Sequence, residues 1–169
     1  MPTSTRRESG SVADLTLTDE SALTKTAVRA ADGTPAATAL GLTFGAAERR
    51  GTALVARIRP DEWIVLGSRE PVAALDLDGF ASTVDITHSR LLFRLTGADA
   101  ARALEKVCSL DFSEHMTPDG ACTGASVAEV SCDVIRDDVD GERSYLVLCD
   151  GSYRRYLFAA LLDATAEFD

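Results

Sequence analysis

Between Val84 and Ser89 the chain reads Val-Asp-Ile-Thr-His-Ser. Asp85, His88 and Ser89 are the residue types of a hydrolytic triad, in which a carboxylate orients an imidazole that takes a proton from a serine nucleophile. The spacing works against that chemistry. Val84 to Thr87 is rich in β-branched residues and predicts a strand, across which side chains alternate. Asp85 then shares a face with Thr87, and His88 shares the other face with Val84 and Ile86. Ser89 is too near in sequence to be aimed at His88 without a special turn, and no Gly-x-Ser-x-Gly elbow occurs. The simpler expectation is a semi-buried His88 whose ring nitrogens bond locally.

Other reactive side chains form no stronger pattern. The cysteines are Cys108, Cys122, Cys132 and Cys149, and none are spaced as Cys-x-x-Cys. With His115, Cys108 and Cys122 could be imagined around a zinc ion on the loop 108–121, but free cysteines are more simply small buried hydrophobes. No metal site is expected. Gly41, Gly45 and Gly51 do not fit a dinucleotide fingerprint, and no P-loop is present. Asp137, Asp138 and Asp140 lack the glycine and glutamate positions of a calcium loop and read as a solvated hairpin turn. Trp63 reads as a core anchor, and Arg154 and Arg155 as a solvated face.

The elements that must position these residues are read from periodicity. Residues 1–11 are expected to be a mobile tail, with one α+β domain over 12–169. Residues 12–50 are weakly patterned, although Leu15 and Leu17 alternating with Thr16 and Thr18 allow a short edge strand. Thr52–Arg59 and Glu62–Leu66, joined by Pro60-Asp61, read as a hairpin. A short helix is predicted from Arg69-Glu70-Pro71 to about Leu75. Strands follow at 84–87 and 90–96. A helix then carries Ala100, Ala103, Leu104 and Val107 on one face, with Asp99 and Lys106 complementing its dipole. Ser126–Arg136 reads as extended and Ser144–Cys149 as a returning strand. Asp150-Gly151-Ser152 opens a last helix whose predicted apolar stripe is Tyr153, Tyr156, Leu157, Ala160 and Leu161, which must be core or interface. The order implies two similar halves of antiparallel sheet with helices packed on one side.

Composition narrows the function classes. The 169 residues are 46% hydrophobic and 26% charged, the balance of a globular chain. A net charge of −10 opposes nucleic acid and anionic membrane. The longest apolar run, Tyr156–Leu162, is far short of the ~20 residues of a membrane helix. Arg6 and Arg7 are not followed by an apolar run, so no secretory signal is read and a cytoplasmic location is expected. The chain has no Asn or Gln, so side-chain recognition must come from hydroxyls, carboxylates and arginine.

From Asp61 onward the sequence resembles the gamma subunit of heterotetrameric sarcosine oxidase. That subunit is a relative of the folate-dependent aminomethyltransferases, the glycine-cleavage T-proteins. The resemblance rests on Pro60-Asp61-Glu62-Trp63, Val84 through Arg90, Leu95-Thr96-Gly97-Ala98-Asp99-Ala100-Ala101, Leu104 through Asp111, and Asp150-Gly151-Ser152-Tyr153 through Leu161. It implies an aminomethyltransferase folate-binding-domain-like fold. It also implies membership of a complex that demethylates sarcosine oxidatively to glycine with folate as one-carbon acceptor. On that resemblance the alpha, beta and delta subunits are the partners, FAD, FMN, NAD and tetrahydrofolate sit in those partners, and this chain holds no cofactor. Trp63, Asp85, His88, Arg90, Tyr153 and Tyr156 are its family-motif or interface candidates. Aminomethyltransferases carry a Gly-Gly and paired acids where Ser131 and Cys132 stand here. The Gly-Gly is missing and Asp133 is at most a displaced remnant, so no catalytic residue is expected.

Three functions follow. The first is a non-catalytic subunit that packs on and stabilises a large flavoprotein. The second is a free-standing folate-binding one-carbon-transfer protein, and the third a homo-oligomeric interaction module.

Overall fold

The computed structural model describes residues 15–168, so the expected tail over 1–11 lies outside the described residues. The first strand is β1 (Thr16–Asp19). Then come β2 (Lys25–Ala30), α1 (Pro35–Leu40), β3 (Ala47–Arg50), β4 (Ala53–Arg59), β5 (Glu62–Gly67), α2 (Glu70–Ala73) and β6 (Ala81–Asp85). The remainder holds β7 (Arg90–Thr96), α3 (Ala100–Glu105), β8 (Cys122–Val127), β9 (Val130–Arg136), β10 (Ser144–Asp150) and α4 (Arg154–Thr165).

The strands make two five-stranded antiparallel sheets, ordered β3-β4-β5-β2-β6 and β1-β7-β10-β9-β8. Their inner faces meet through Leu54, Ile58, Ile64 and Leu66 of the first and Leu92, Ile135, Leu146 and Leu148 of the second. Val28, Val55, Trp63 and Val65 on the first sheet's outer face are covered by Ala36, Leu40 and Val72 of α1 and α2. On the second, Phe93, Leu95, Val134 and Val147 are covered by Ala103 and Leu104 of α3 and Leu157 and Leu161 of α4. The result is four layers, helix on sheet on sheet on helix. It explains why β4, β5, β7 and β10 are nearly continuous apolar runs rather than alternating ones: both faces are buried.

Each half keeps its helices on one face, as the element order implied, and the halves share one topology. The first runs β2-α1-β3-β4-β5-α2-β6 and the second β7-α3-β8-β9-β10-α4, with corresponding strand orders in the two sheets. The slot of β6 is taken in the second sheet by β1, from the other end of the described chain.

The structure corrects several readings. The short edge strand allowed over Leu15–Thr18 is β1, and the weakly patterned stretch after it, to residue 50, holds β2, α1 and β3. The predicted strand over 84–87 ends at Asp85, and Thr87–Ser89 is a turn. The extended run 126–136 is two strands around a two-residue turn. There Ala128 and Glu129 both take positive φ, 47° and 67°, without the Gly or Asn that announces such turns.

Candidate functional site

Two of the motifs singled out from sequence, Val84 through Arg90 and Asp150 through Tyr153, meet at one junction. Asp85 ends β6 and accepts a 2.9 Å hydrogen bond from the Thr87 amide, bending the chain away from the sheet. The Ser89 and Arg90 amides donate to Ile86 O at 3.2 and 3.1 Å, which completes the turn into β7. The Lys25 amide donates to Thr87 Oγ1 at 3.0 Å, tying the turn to β2. Across the sheet, Arg90 stands opposite Asp150. The Gly151 amide donates to Ser89 O at 2.8 Å. A Cβ on Gly151 would sit 3.1 Å from that oxygen, which explains the glycine. Asp150 accepts from the Ser152 amide at 2.9 Å and its hydroxyl at 2.6 Å, opening the 3-10 turn that leads into α4.

This junction is not a triad. The Asp85 carboxylate is committed to Thr87 and, at 3.4 Å, to Arg69. The Thr87 hydrogen bonds hold its carboxyl below the usual range, aided by Arg69 and His88. Ser89 Oγ donates to Ile86 O at 3.2 Å. His88 is exposed on the turn, which overturns both its semi-burial and the strand-face argument. Arg90 is half-buried at the head of β7.

Tyr153 and Tyr156 are 46% and 54% exposed, so they are not part of a buried stripe. Tyr153 lies in the 3-10 turn before α4, whose buried residues are Leu157, Leu161, Ala164 and Thr165. Trp63 is a core anchor. Its Nε1 donates to Gly41 O at 2.8 Å at the end of α1, and the Arg57 guanidinium lies 4.6 Å from the ring centroid.

A second feature is an open cleft of about 920 Å³ where the sheet edges meet, lined by Phe44, Ile58, Arg59, His115, Met116 and Cys122 among others. Its floor is made where β3 and β8 are sewn together, by Cys122 N to Gly45 O at 2.8 Å and Ala47 N to Gly120 O at 2.7 Å. Gly120, at φ 82°, permits this, since a Cβ there would lie 2.8 Å from Ala47 O. Below the cleft, buried Asp133 accepts from Arg59 at 2.8 Å. That bond raises the Arg59 pKa and neutralises the buried carboxylate. Burial and the Asp133 charge push the Cys122 thiol up to about 12, leaving it inert. Cys122 faces the inter-sheet core and Cys108 the helical side of the second sheet, so Cys108, His115 and Cys122 do not converge.

The acidic turn after β9 is not simply solvated. Asp137 is buried and bridges the sheets. Arg49 on β3 donates to it at 2.8 Å and Arg94 on β7 at 2.9 Å, and Arg94 also reaches Glu20 at 2.8 Å. Arg136 donates to Asp138 at 2.8 Å and to Glu114 at 2.7 Å. Burial raises the Asp138 pKa, but bonds from Arg136 and the Ser144 amide outweigh it and hold the carboxyl low. Hydrogen bonding from Arg136 does the same for Glu114. Sequence reasoning had no access to the arginine pairs of Asp137 and Asp133, which join residues 88, 43 and 74 positions apart.

Comparison with known proteins bears on the fold. No family model and no curated protein matches the sequence. Among solved structures, the heterotetrameric sarcosine oxidase from Corynebacterium sp. U-96, in complex with pyrrole 2-carboxylate, contains a similar chain. The TM-score is 0.78 at 21% identity, over 91% of this chain and 85% of that one. The glycine cleavage system aminomethyltransferase T from Bartonella henselae is similar with a TM-score of 0.66 at 17% identity, over 89% of this chain and 46% of that one. This chain thus spans about half the length of the aminomethyltransferase. The paired α+β halves expected from the sequence are therefore a fold held in common with a sarcosine oxidase chain and with an aminomethyltransferase.

Proposed function

We propose that this chain is a small non-catalytic subunit of a sarcosine-oxidase-type complex, where it packs on and stabilises the large flavoprotein subunit. The observation that carries the reading is likeness of fold, with a TM-score of 0.78 to a chain of a heterotetrameric sarcosine oxidase against 0.66 to an aminomethyltransferase. The site chemistry supports it. Asp85 and Ser89 are engaged in turn geometry, and Asp133 is engaged by Arg59.

The surface supports it as well. Leu77, Phe80 and Val84 lie exposed along and just before edge strand β6, and Tyr153, Tyr156 and Leu162 are exposed on and beside α4. Exposed apolar side chains grouped in this way provide contact area for a partner. In this reading the alpha, beta and delta subunits are the partners, FAD, FMN, NAD and tetrahydrofolate reside in them, and sarcosine is the substrate of the whole assembly.

Co-expression with the alpha, beta and delta subunits of a sarcosine-oxidase-type complex tests the reading. One stoichiometric complex is expected, with an interface of the obligate class, above ~2,000 Å². A chain that stays monomeric and never co-purifies with a flavoprotein overturns it. Tetrahydrofolate binding by the isolated chain, read by calorimetry, would favour a free-standing one-carbon carrier using the 920 Å³ cleft. A symmetric assembly of the pure chain would favour a homo-oligomeric module.

A further inference from the structure

We propose that Cys132 and Cys149 are a redox-active dithiol, which peroxide closes to a disulfide across strands β9 and β10. The two residues stand directly opposite each other in the antiparallel pair. The phase of the ladder follows from the hairpin turn. Val139 and Glu142 exchange two N–H···O bonds of 2.9 Å, and the Asp137 amide donates to Ser144 O at 2.9 Å. Hydrogen-bonded and non-hydrogen-bonded pairs alternate along such a ladder, and the register runs unbroken from Arg136–Tyr145 to Cys132–Cys149. Counting from Asp137–Ser144, Leu146–Ile135 and Leu148–Asp133 are bonded pairs, and Cys149–Cys132 is a non-bonded one.

At a non-hydrogen-bonded position the Cα atoms lie about 4.5 Å apart and the side chains are at their closest. That separation is inside the range of about 4.4–6.8 Å that a disulfide spans. Both side chains enter the same core cluster, beneath the helices of the second half, so they project to one face. Both are free thiols.

The surroundings differentiate the two sulfurs. Hydrogen bonding from Cys132 lowers the Cys149 pKa, and the positive charge of Arg90 assists. The same coupling, with burial, pushes Cys132 up. With Cys149 as the attacking sulfur, Cys132 is the resolving one. The Cys149 thiolate attacks one peroxide oxygen. An S–O bond forms, the O–O bond breaks, and the departing hydroxide takes up a proton to leave as water. Cys132 then attacks Cys149 Sγ. The S–S bond forms, the S–O bond breaks, and a second water leaves with the Cys132 proton. Two thiols lose two electrons and two protons, and one peroxide becomes two waters. Both sulfurs are buried, so peroxide reaches them through local opening of the β9–β10 ladder. The inference is independent of the accessory-subunit reading.

The test is hydrogen peroxide treatment of the full chain, alone and in whatever complex it forms, with intact and peptide mass measured after alkylation under denaturing conditions. The expected result is loss of two of the four alkylatable thiols and about 2 Da of mass. A linked peptide pair carrying Cys132 and Cys149 should appear, and dithiothreitol should reverse the change. A C108S/C122S double variant should behave identically. C132S should accumulate a sulfenic acid at Cys149 that dimedone traps. Four thiols surviving peroxide, or oxidation that links or over-oxidises other cysteines instead, overturns the proposal. The wild-type measurement decides even if a variant fails to fold.

Discussion

The two halves of the molecule solve one topology with different means. The second sheet's outer face is covered by α4, 12 residues long, and by the 6-residue α3. The first is covered only by the 6-residue α1 and the 4-residue α2. A thin helical layer brings few large side chains, and α1 offers mainly Ala36, Ala37 and Leu40. The sheet itself must then fill the space, and Trp63, the largest fully buried side chain, does so. The edges differ in the same sense. β1 is flanked by charged residues that pair with Arg94 and Arg154, whereas β6 carries exposed Val84 and follows exposed Phe80. The first half is thus both the more thinly covered and the one with an open apolar edge.

The largest expected effect tests that dependence on one side chain. Trp63→Ala should cost about 3–5 kcal/mol, because the cavity has little helix to collapse into it and Gly41 O loses its donor. Leu157→Ala in the thicker half should lie near the low end of the ~2–5 kcal/mol range for such truncations, since Phe158 and Leu161 can relax. Urea unfolding midpoints measure both. Equal losses would break the comparison.

The next effect is at corresponding strand-to-helix junctions. Gly67 leaves β5 at φ 90°, and a Cβ there would lie 2.7 Å from Thr52 O. Gly151 leaves β10 with a milder conflict, 3.1 Å from Ser89 O. Gly67→Ala combines backbone strain with a backbone clash and should cost roughly 2–3 kcal/mol. Gly151→Ala should cost about 1 kcal/mol. A reversed order in thermal midpoints would show that the two junctions are not equivalent.

These contrasts bear on what the residues disclosed in advance. The β4–β5 hairpin was legible because two apolar runs flank Pro60-Asp61, and β7 because Arg90–Thr96 is unbroken. β2 was not, since buried Lys25 and Thr26 interrupt its apolar pattern. Lys25 is tolerated because Nζ donates to Ser21 O and Leu23 O at 2.7 and 2.8 Å, partners no local rule announces. The face of α4 was read in part: Leu157 and Leu161 are buried as expected, whereas Tyr153 lies in the preceding 3-10 turn and Tyr156 at the exposed margin of the stripe. For the site, turn chemistry at Asp85 and Asp150 was readable in type but not in role. The arginine pairs of Asp133 and Asp137 depend wholly on long-range folding.

A smaller effect separates the hairpin turns β4–β5 and β9–β10 by pH. The first is closed by Arg57 donating to Pro60 O at 3.1 Å, and the carboxylate that Arg57 also meets, Asp32, lies outside the turn and is exposed. The second depends on Asp138, whose folded pKa lies below the ordinary 3.8. A carboxylate depressed in the folded state binds fewer protons there than in the unfolded chain. Its contribution is therefore complete above about pH 5 and is lost as pH falls below 4 through the folded value. Asp138→Asn should cost about 1 kcal/mol at pH 7, given partial exposure, and should flatten the decline in urea midpoint below pH 4. Parallel wild-type and variant curves there would remove Asp138 from the acid limb.

The smallest effect concerns the two-residue turns β3–β4 and β8–β9, which hold corresponding places. The first uses Gly51 at φ 60°, with no atom near a would-be Cβ. The second places Ala128 and Glu129 in the left-handed region, at φ 47° and 67°. An L-residue there costs about 1–2 kcal/mol relative to its preferred conformations. Ala128 is held from outside, its amide donating to Val107 O at 2.7 Å. Glu129 is exposed, and no hydrogen bond of its side chain offsets the strain among the described residues. Glu129→Gly relieves the strain but adds freedom to the unfolded chain, so the net gain should be a few tenths of a kcal/mol. Glu129→Asn tolerates the same φ without that added freedom and should gain about as much or more. Gly51→Ala in the other half should move the midpoint the opposite way. A gain at Gly51 or a loss at Glu129 would mean that turn backbone, as placed here, does not limit the stability of either hairpin.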